Sequence, residues 1–164
     1  MQNELSVRAV KLKDVPALCD LLNAIVVQGG TTAQRETMSA EEFAAKYLHA
    51  SDLISCLVAE AKNGELRGFQ VLKHQPYVPD DWGDIATFAR IGNTAKGVGS
   101  QLFQSTLKLA QDKGLVAINA TIRSYNTGGL KFYGKMGFVE YKRTEAEPLE
   151  DGAPAEMIFK KRTV

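Results

Sequence analysis

The sequence is poor in the residues that build metal centres, disulfide frameworks and charged interaction faces. It has two cysteines, Cys19 and Cys56, each inside an apolar run. That spacing makes no disulfide scaffold, and two reduced, buried thiols in an intracellular protein are the expected state. His49 and His74 are the only histidines. They have no metal-ligand spacing to each other or to the cysteines, so no metal site is expected. Lys and Arg number 20 against 19 for Asp and Glu, a formal charge of +1. With no long basic run, nucleic-acid binding through a basic face has no support. No apolar stretch approaches the ~18 residues of a membrane span, so no membrane association is expected. Met1-Gln2-Asn3-Glu4 lacks the basic and apolar regions of a signal peptide, and cytoplasm is the expected location.

What is present reads as one globular α/β domain over residues 1–164, long enough to bury a core without staples. Residues 5–10 alternate as a strand. Asp14 is placed to cap a helix running to about residue 23 or slightly beyond, with Val15, Leu18, Leu21 and Leu22 facing inward. Residues 28–38 form a polar loop of the kind that lines sites. Ser39-Ala40-Glu41-Glu42 fits a capping box, followed by Phe43, Tyr47 and Leu48 at helical spacing. Residues 53–61 and 66–73 are strands joined at Asn63-Gly64, a strong hairpin signal. Residues 75–82 read as a loop from their prolines and acids, and hold the only tryptophan, Trp82. Strands are expected again over 85–91, 116–122, 138–142 and 155–161.

The sequence is organised around Gly92-Asn93-Thr94-Ala95-Lys96-Gly97-Val98-Gly99-Ser100. A strand enters this loop, and a helix leaves it with Val98, Leu102, Thr106, Leu109 and Ala110 on one face, ending near Lys113-Gly114. Glycines at a helix start allow close backbone approach to an anion, and the first-turn amides and the helix dipole favour phosphate. A Walker A loop needs Gly-Lys-Ser/Thr, and Lys96 stands before the glycines instead. A Rossmann fingerprint needs a third glycine where Leu102 stands. A coenzyme A pyrophosphate loop needs only the glycine pair, and a tight turn that merely packs strand on helix needs no ligand at all.

One strand further on, Asn126 precedes a short helix carrying Phe132-Tyr133, which leads into Met136-Gly137-Phe138. Together with the glycine loop, in this order over about residues 85–140, this resembles the Gcn5-related N-acetyltransferase (GNAT) superfamily. Gly29-Gly30-Thr31-Thr32-Ala33 and Gly83-Asp84-Ile85-Ala86-Thr87-Phe88 look closest to its phosphinothricin and amino-acid acetyltransferase branch. The loop departs from the family pattern at Thr94, where Arg or Gln is usual.

The resemblance implies a mixed, mostly antiparallel twisted sheet of about seven strands splayed between the fourth and fifth, with about four helices. It implies acetyl-CoA as co-substrate and a small primary amine as acceptor, an amino acid or an analogue. The backbone of Thr87, Phe88 and Ala89 would meet the pantetheine arm, and an N–H there would polarise the thioester carbonyl. The amides of Ala95, Lys96, Gly97, Val98, Gly99 and Ser100 would cradle the pyrophosphate, with Lys96 adding a point charge. Asn126 would bond the cofactor arm, cap its helix, or do both. Tyr133 would protonate the leaving thiolate. Thr31, Thr32, Glu36 and Trp82 are the candidate substrate contacts. Glu36, Asp84 and His74, or a water chain, are the candidates for base. A homodimer is compatible with this branch, although no stripe in the sequence demonstrates one. The alternative is a catalytically inert acetyl-CoA-binding or sensing domain.

Overall fold

The computed structural model describes residues 4–30, 36–92, 97–148 and 152–164. Its strands are β1 (Leu5–Ala9), β2 (Leu53–Ala61), β3 (Leu66–Lys73), β4 (Trp82–Ala89), β5 (Ala117–Arg123), β6 (Val139–Ala146) and β7 (Ala155–Thr163). Its α-helices are α1 (Val15–Gln28), α2 (Ala40–Tyr47), α3 (Val98–Asp112) and α4 (Thr127–Lys135). The strands form one sheet in the order β1-β2-β3-β4-β5-β7-β6. Every neighbouring pair is antiparallel except β4 and β5. This is the mixed, mostly antiparallel sheet that the family resemblance implies.

The β4–β5 ladder is short. Its register pairs are Trp82↔Ala117, Gly83↔Ile118 and Asp84↔Asn119, and it ends there. β4 continues to Ala89 against β3, and β5 continues to Arg123 against β7. The sheet therefore opens into a wedge beyond Asp84. α3, the crossover that a parallel pair requires, closes one face of the sheet.

Strand alternation sorts side chains between two cores. Phe69, Val71 and Phe88 face α1 and α2 and pack with Leu18, Leu22 and Phe43. Leu72 and Ile85 face α3 and α4 and pack with Phe103, Tyr133 and Phe138. Leu18, Leu22, Phe43, Phe69 and Leu72 are completely buried, and each such side chain contributes about 1.5–3 kcal/mol. Edge strand β6 is mostly exposed and carries Glu140, Lys142, Arg143 and Glu145, charges that discourage pairing with another sheet. Among the described residues, no helix is long and apolar enough to cross a membrane.

The local signals resolve as follows. Ser39 caps α2: its Oγ accepts from the Glu42 N–H at 3.1 Å, and the Glu42 carboxylate accepts from the Ser39 N–H at 3.2 Å. Gly64, with φ of 88°, turns the β2–β3 hairpin. Three expectations are corrected. Asp14 does not cap α1 through its side chain. Its buried carboxylate is gripped by the Arg8 guanidinium at 2.7 and 2.9 Å and by the Lys11 N–H at 2.8 Å. α1 runs on to Gln28 because Ile25 and Val26 extend its buried stripe past Asn23. Trp82 opens β4 instead of closing a loop, since its pairing with Ala117 and its ring contact with Tyr141 at 5.7 Å hold it extended.

Candidate active site

The wedge between β4 and β5 is the centre of a cavity of about 830 Å³. It passes through the sheet. On the α1/α2 face its wall includes Tyr47, Lys73, Asp84 and Ala86, and on the α3/α4 face Thr87, Gly99, Phe132 and Tyr133. A group entering from either face can therefore meet one entering from the other, which no fully paired sheet would allow. Beyond Asp84, the β5-facing backbone edge of β4 has no strand partner among the described residues and is open to an extended ligand.

α4 carries Tyr133 into this gap. Asn126 caps the helix, its Oδ1 accepting from the Gly129 N–H at 2.9 Å. The Tyr133 ring is buried between Phe132 and Phe138, with centroids 5.0 and 5.1 Å away. Its hydroxyl lies 2.9 Å from Thr87 Oγ1, which in turn accepts from Gln70 Nε2 at 2.9 Å. Burial pushes the phenol's pKa well above its ordinary value; the Thr87 hydrogen bond opposes this and the Asp84 charge adds to it. Tyr133 is thus neutral near pH 7 and can donate a hydrogen bond. When Thr87 donates to Tyr133, the phenol's own proton is left to point into the cavity.

Asp84 lies on the opposite face of β4. Its carboxylate accepts from Tyr77 Oη at 2.9 Å and from Asn119 Nδ2 at 2.7 Å. Asn119 is fully buried and is itself held by the Tyr141 hydroxyl. Burial raises the Asp84 pKa above the carboxylate norm; the bonds from Asn119 and Tyr77 and the charge of Lys73 pull it partly back. A carboxylate that is positioned, partly desolvated and open to a cavity is equipped to take a proton.

At the start of α3, Gly97 is the N-cap with φ of 91°, a left-handed conformation that favours glycine. Gly99 serves packing as well. A Cβ there would lie 2.7 Å from Phe132, so its absence lets α3 and α4 close on each other. The first bond of the helix runs from the Gln101 N–H to the Gly97 carbonyl at 2.9 Å. The amides of Val98, Gly99 and Ser100 therefore precede the intrahelical ladder.

The expected site residues are brought together in part. Thr87, Phe88, Ala89, Gly99, Asn126 and Tyr133 line the cavity. Gly97, Val98 and Ser100 stand at the helix mouth next to Gly99. Ala95 and Lys96 lie outside the described residues, as do Thr94, Thr31 and Thr32. Glu36 and Trp82 are not among the lining residues, and Trp82 packs instead against Tyr141 and Lys161 at the paired end of β4. His74 is exposed just beyond β3. Asp84, just ahead of the strand expected over residues 85–91, is itself a strand residue in register with Asn119. The sequence places Tyr77 at the start of a loop expected to shape the acceptor pocket, and Tyr77 does line the cavity. It marks neither Gln70 nor Asn119; the available signal for those two is a lone amide at a core position of an otherwise apolar strand.

The comparisons with known proteins agree with this geometry. The profile of the Acetyltransferase (GNAT) family matches residues 18–138, from α1 past Tyr133 to Phe138. YwnH of Bacillus subtilis (strain 168), whose name assigns it provisionally as a phosphinothricin acetyltransferase, is 24% identical over 140 residues, covering 84% of this chain and 85% of its own. The dTDP-fucosamine acetyltransferase of Escherichia coli O6:H1 is 29% identical over 130 residues, 76% of this chain and 54% of its own. Among solved structures, the phosphinothricin acetyltransferase of Sinorhizobium meliloti in complex with AcCoA superposes with a TM-score of 0.85 at 15% identity, over 98% of this chain and 88% of that one. With its split sheet, its glycine-capped α3 and a family match that spans both, the chain belongs to the Acetyltransferase (GNAT) family.

Proposed function

We propose that the protein is an acetyl-CoA-dependent N-acetyltransferase that acetylates the primary amine of a small molecule. The observation that carries this reading is the through-sheet cavity, with a neutral phenol on one side of β4 and a held carboxylate on the other. The residues fit the co-substrate. The open edge of β4 from Thr87 to Ala89 matches an extended pantetheine arm, and the α3 amides from Gly97 to Ser100 suit a pyrophosphate. Ala95 and Lys96 would complete that cradle, and Asn126, besides capping α4, borders the arm's path. The AcCoA bound by the Sinorhizobium meliloti relative supports this assignment.

Acetyl-CoA, when bound, supplies an activated acetyl thioester; the protein supplies position and proton traffic. Asp84, on the acceptor's side, takes a proton from the substrate ammonium, directly or through water, and frees the nitrogen lone pair. A β4 backbone N–H at the gap bonds the carbonyl oxygen as negative charge develops on it. Tyr133, aligned by Thr87, donates to the departing sulfur from the α4 side. Among the three candidates for base, the observations favour Asp84 over Glu36 and His74, because it alone lines the cavity.

The test is thiol release from acetyl-CoA in the presence of a panel of small amines, with mass spectrometry of the products. Free thiol and acetylated amine formed in equal amounts, only when amine is present, are expected. Thiol release that needs no amine would indicate a hydrolase, and no release with any amine would leave a non-catalytic binding domain.

A further inference from the structure

On the α3/α4 side of β4, one buried amide stands behind the Tyr133 phenol. Alternate residues of a strand share a face, so Gln70 lies on the face of β3 that turns Gly68 toward Val98 of α3 and Leu72 toward Phe103 and Tyr133. Gln70 is completely buried and is the register partner of Thr87 across β3 and β4. Its Nε2 donates to Thr87 Oγ1 at 2.9 Å, and that oxygen lies 2.9 Å from Tyr133 Oη. The other end of the amide, Oε1, has no hydrogen-bond partner among the described residues. An unmet amide oxygen destabilises a core, and an apolar side chain of the same length would avoid that cost. Packing alone therefore does not account for a glutamine here.

The chain from Gln70 through Thr87 to Tyr133 has a sense. An amide NH₂ only donates, and a hydroxyl carries a single proton. Gln70 fills one lone pair of Thr87 Oγ1. If Tyr133 filled the other, the buried Thr87 proton would be left without an acceptor and the phenol proton would be tied up. If Thr87 donates to Tyr133 instead, every proton of the chain meets an acceptor or the cavity, as buried polar groups require. Accepting from Gln70 also makes Thr87 the better donor, because linked hydrogen bonds polarise one another.

We propose that Gln70 is a positioning residue for acetyl transfer: its amide turns the Thr87 proton toward Tyr133, and thereby the Tyr133 proton toward the departing sulfur. The proposal rests on the acetyl-transfer reading above and adds to it a residue that touches neither substrate. As the carbon–sulfur bond breaks, sulfur keeps the electron pair and takes the Tyr133 proton, so an S–H bond forms and the phenol O–H bond breaks. The phenolate left behind accepts the Thr87 hydrogen bond until water returns a proton to it.

The test measures amine-dependent thiol release by wild type, Q70M, T87V, Y133F and the double variants Q70M/T87V and Q70M/Y133F. Methionine keeps the length of the side chain and removes the amide. Q70M should lower kcat about 10-fold and leave KM for acetyl-CoA within about twofold. Its Tm should equal or exceed that of wild type, because the unmet oxygen leaves with the amide. A residue that served packing alone would move Tm and spare kcat. On the T87V or Y133F background, Q70M should change kcat by less than about twofold, since the chain is already cut. Q70L makes the same prediction and is read in place of Q70M if that variant does not fold. A kcat within about twofold of wild type, or the 10-fold loss repeated in full on Y133F, overturns the role of Gln70 while acetyl transfer stands. Absence of amine-dependent thiol release by wild type overturns the acetyl-transfer reading, and this proposal with it.

Discussion

Tyr133 of α4 and Asp84 of β4, which meet the gap from opposite faces of the sheet, carry the chemistry, and each yields a distinct prediction. Tyr133→Phe removes only the hydroxyl that meets Thr87 at 2.9 Å. kcat should fall by about 10²-fold or more, while KM for acetyl-CoA changes little, because the ring and its packing remain. Thr87 keeps its bond from Gln70, so the cost in stability is about 1 kcal/mol. Steady-state kinetics and a melting curve measure both. Asp84 behaves differently because burial raises its pKa above the unfolded value. Its contribution to stability is full below the unfolded carboxylate pKa of about 3.9 and is lost as pH rises through the folded pKa. At pH 7 the charged form therefore costs stability. Asp84→Asn should raise Tm at pH 7 relative to wild type, yet lower kcat/KM by about 10²-fold. In wild type, kcat/KM should climb with pH through the raised carboxyl pKa, and Asp84→Asn should lose that limb. A Tm that falls at pH 7, or a limb that persists, would contradict the assignment.

At the scale of elements, the local signals were legible where chemistry between near neighbours decides the structure. The Ser39–Glu42 capping box, the Asn63-Gly64 hairpin, the Gly97 entry to α3 and the Asn126 cap of α4 could all be read in the sequence. Ser39→Ala tests the first of these. It removes the acceptor for the Glu42 amide, and should cost about 1 kcal/mol and lower Tm by about 2–4 °C. Because α2 carries Lys46 and Tyr47 to the acceptor side, the same change should raise KM for the amine more than for acetyl-CoA. Features set by distant partners were not legible. Asp14 stands where a cap belongs, but Arg8, brought alongside by β1, claims its carboxylate. Trp82 follows Pro79, Asp80 and Asp81, which read as a loop, yet pairing with Ala117 makes it a strand residue. Gln70 lies in an apolar run, where nothing local marks its bond to Thr87.

For the molecule as a whole, the decisive feature is where the parallel ladder ends. The order of strands and helices, and the two motifs around Gly97 and Tyr133, were enough to imply a split sheet through family resemblance. The contents of the split were legible only in part. Tyr133 was marked by its place in a motif. Asp84, Asn119 and Tyr77 converge from β4, β5 and the loop before β4, and no spacing within the chain encodes that meeting. The pair of faces joined by one opening makes a single demand: a thioester carrier must enter from the α3/α4 side and bind there without an amine. Isothermal titration of the wild-type protein with coenzyme A tests this most directly. The account predicts saturable heat at one site per chain, with no need of an acceptor, and the absence of saturable heat would contradict it.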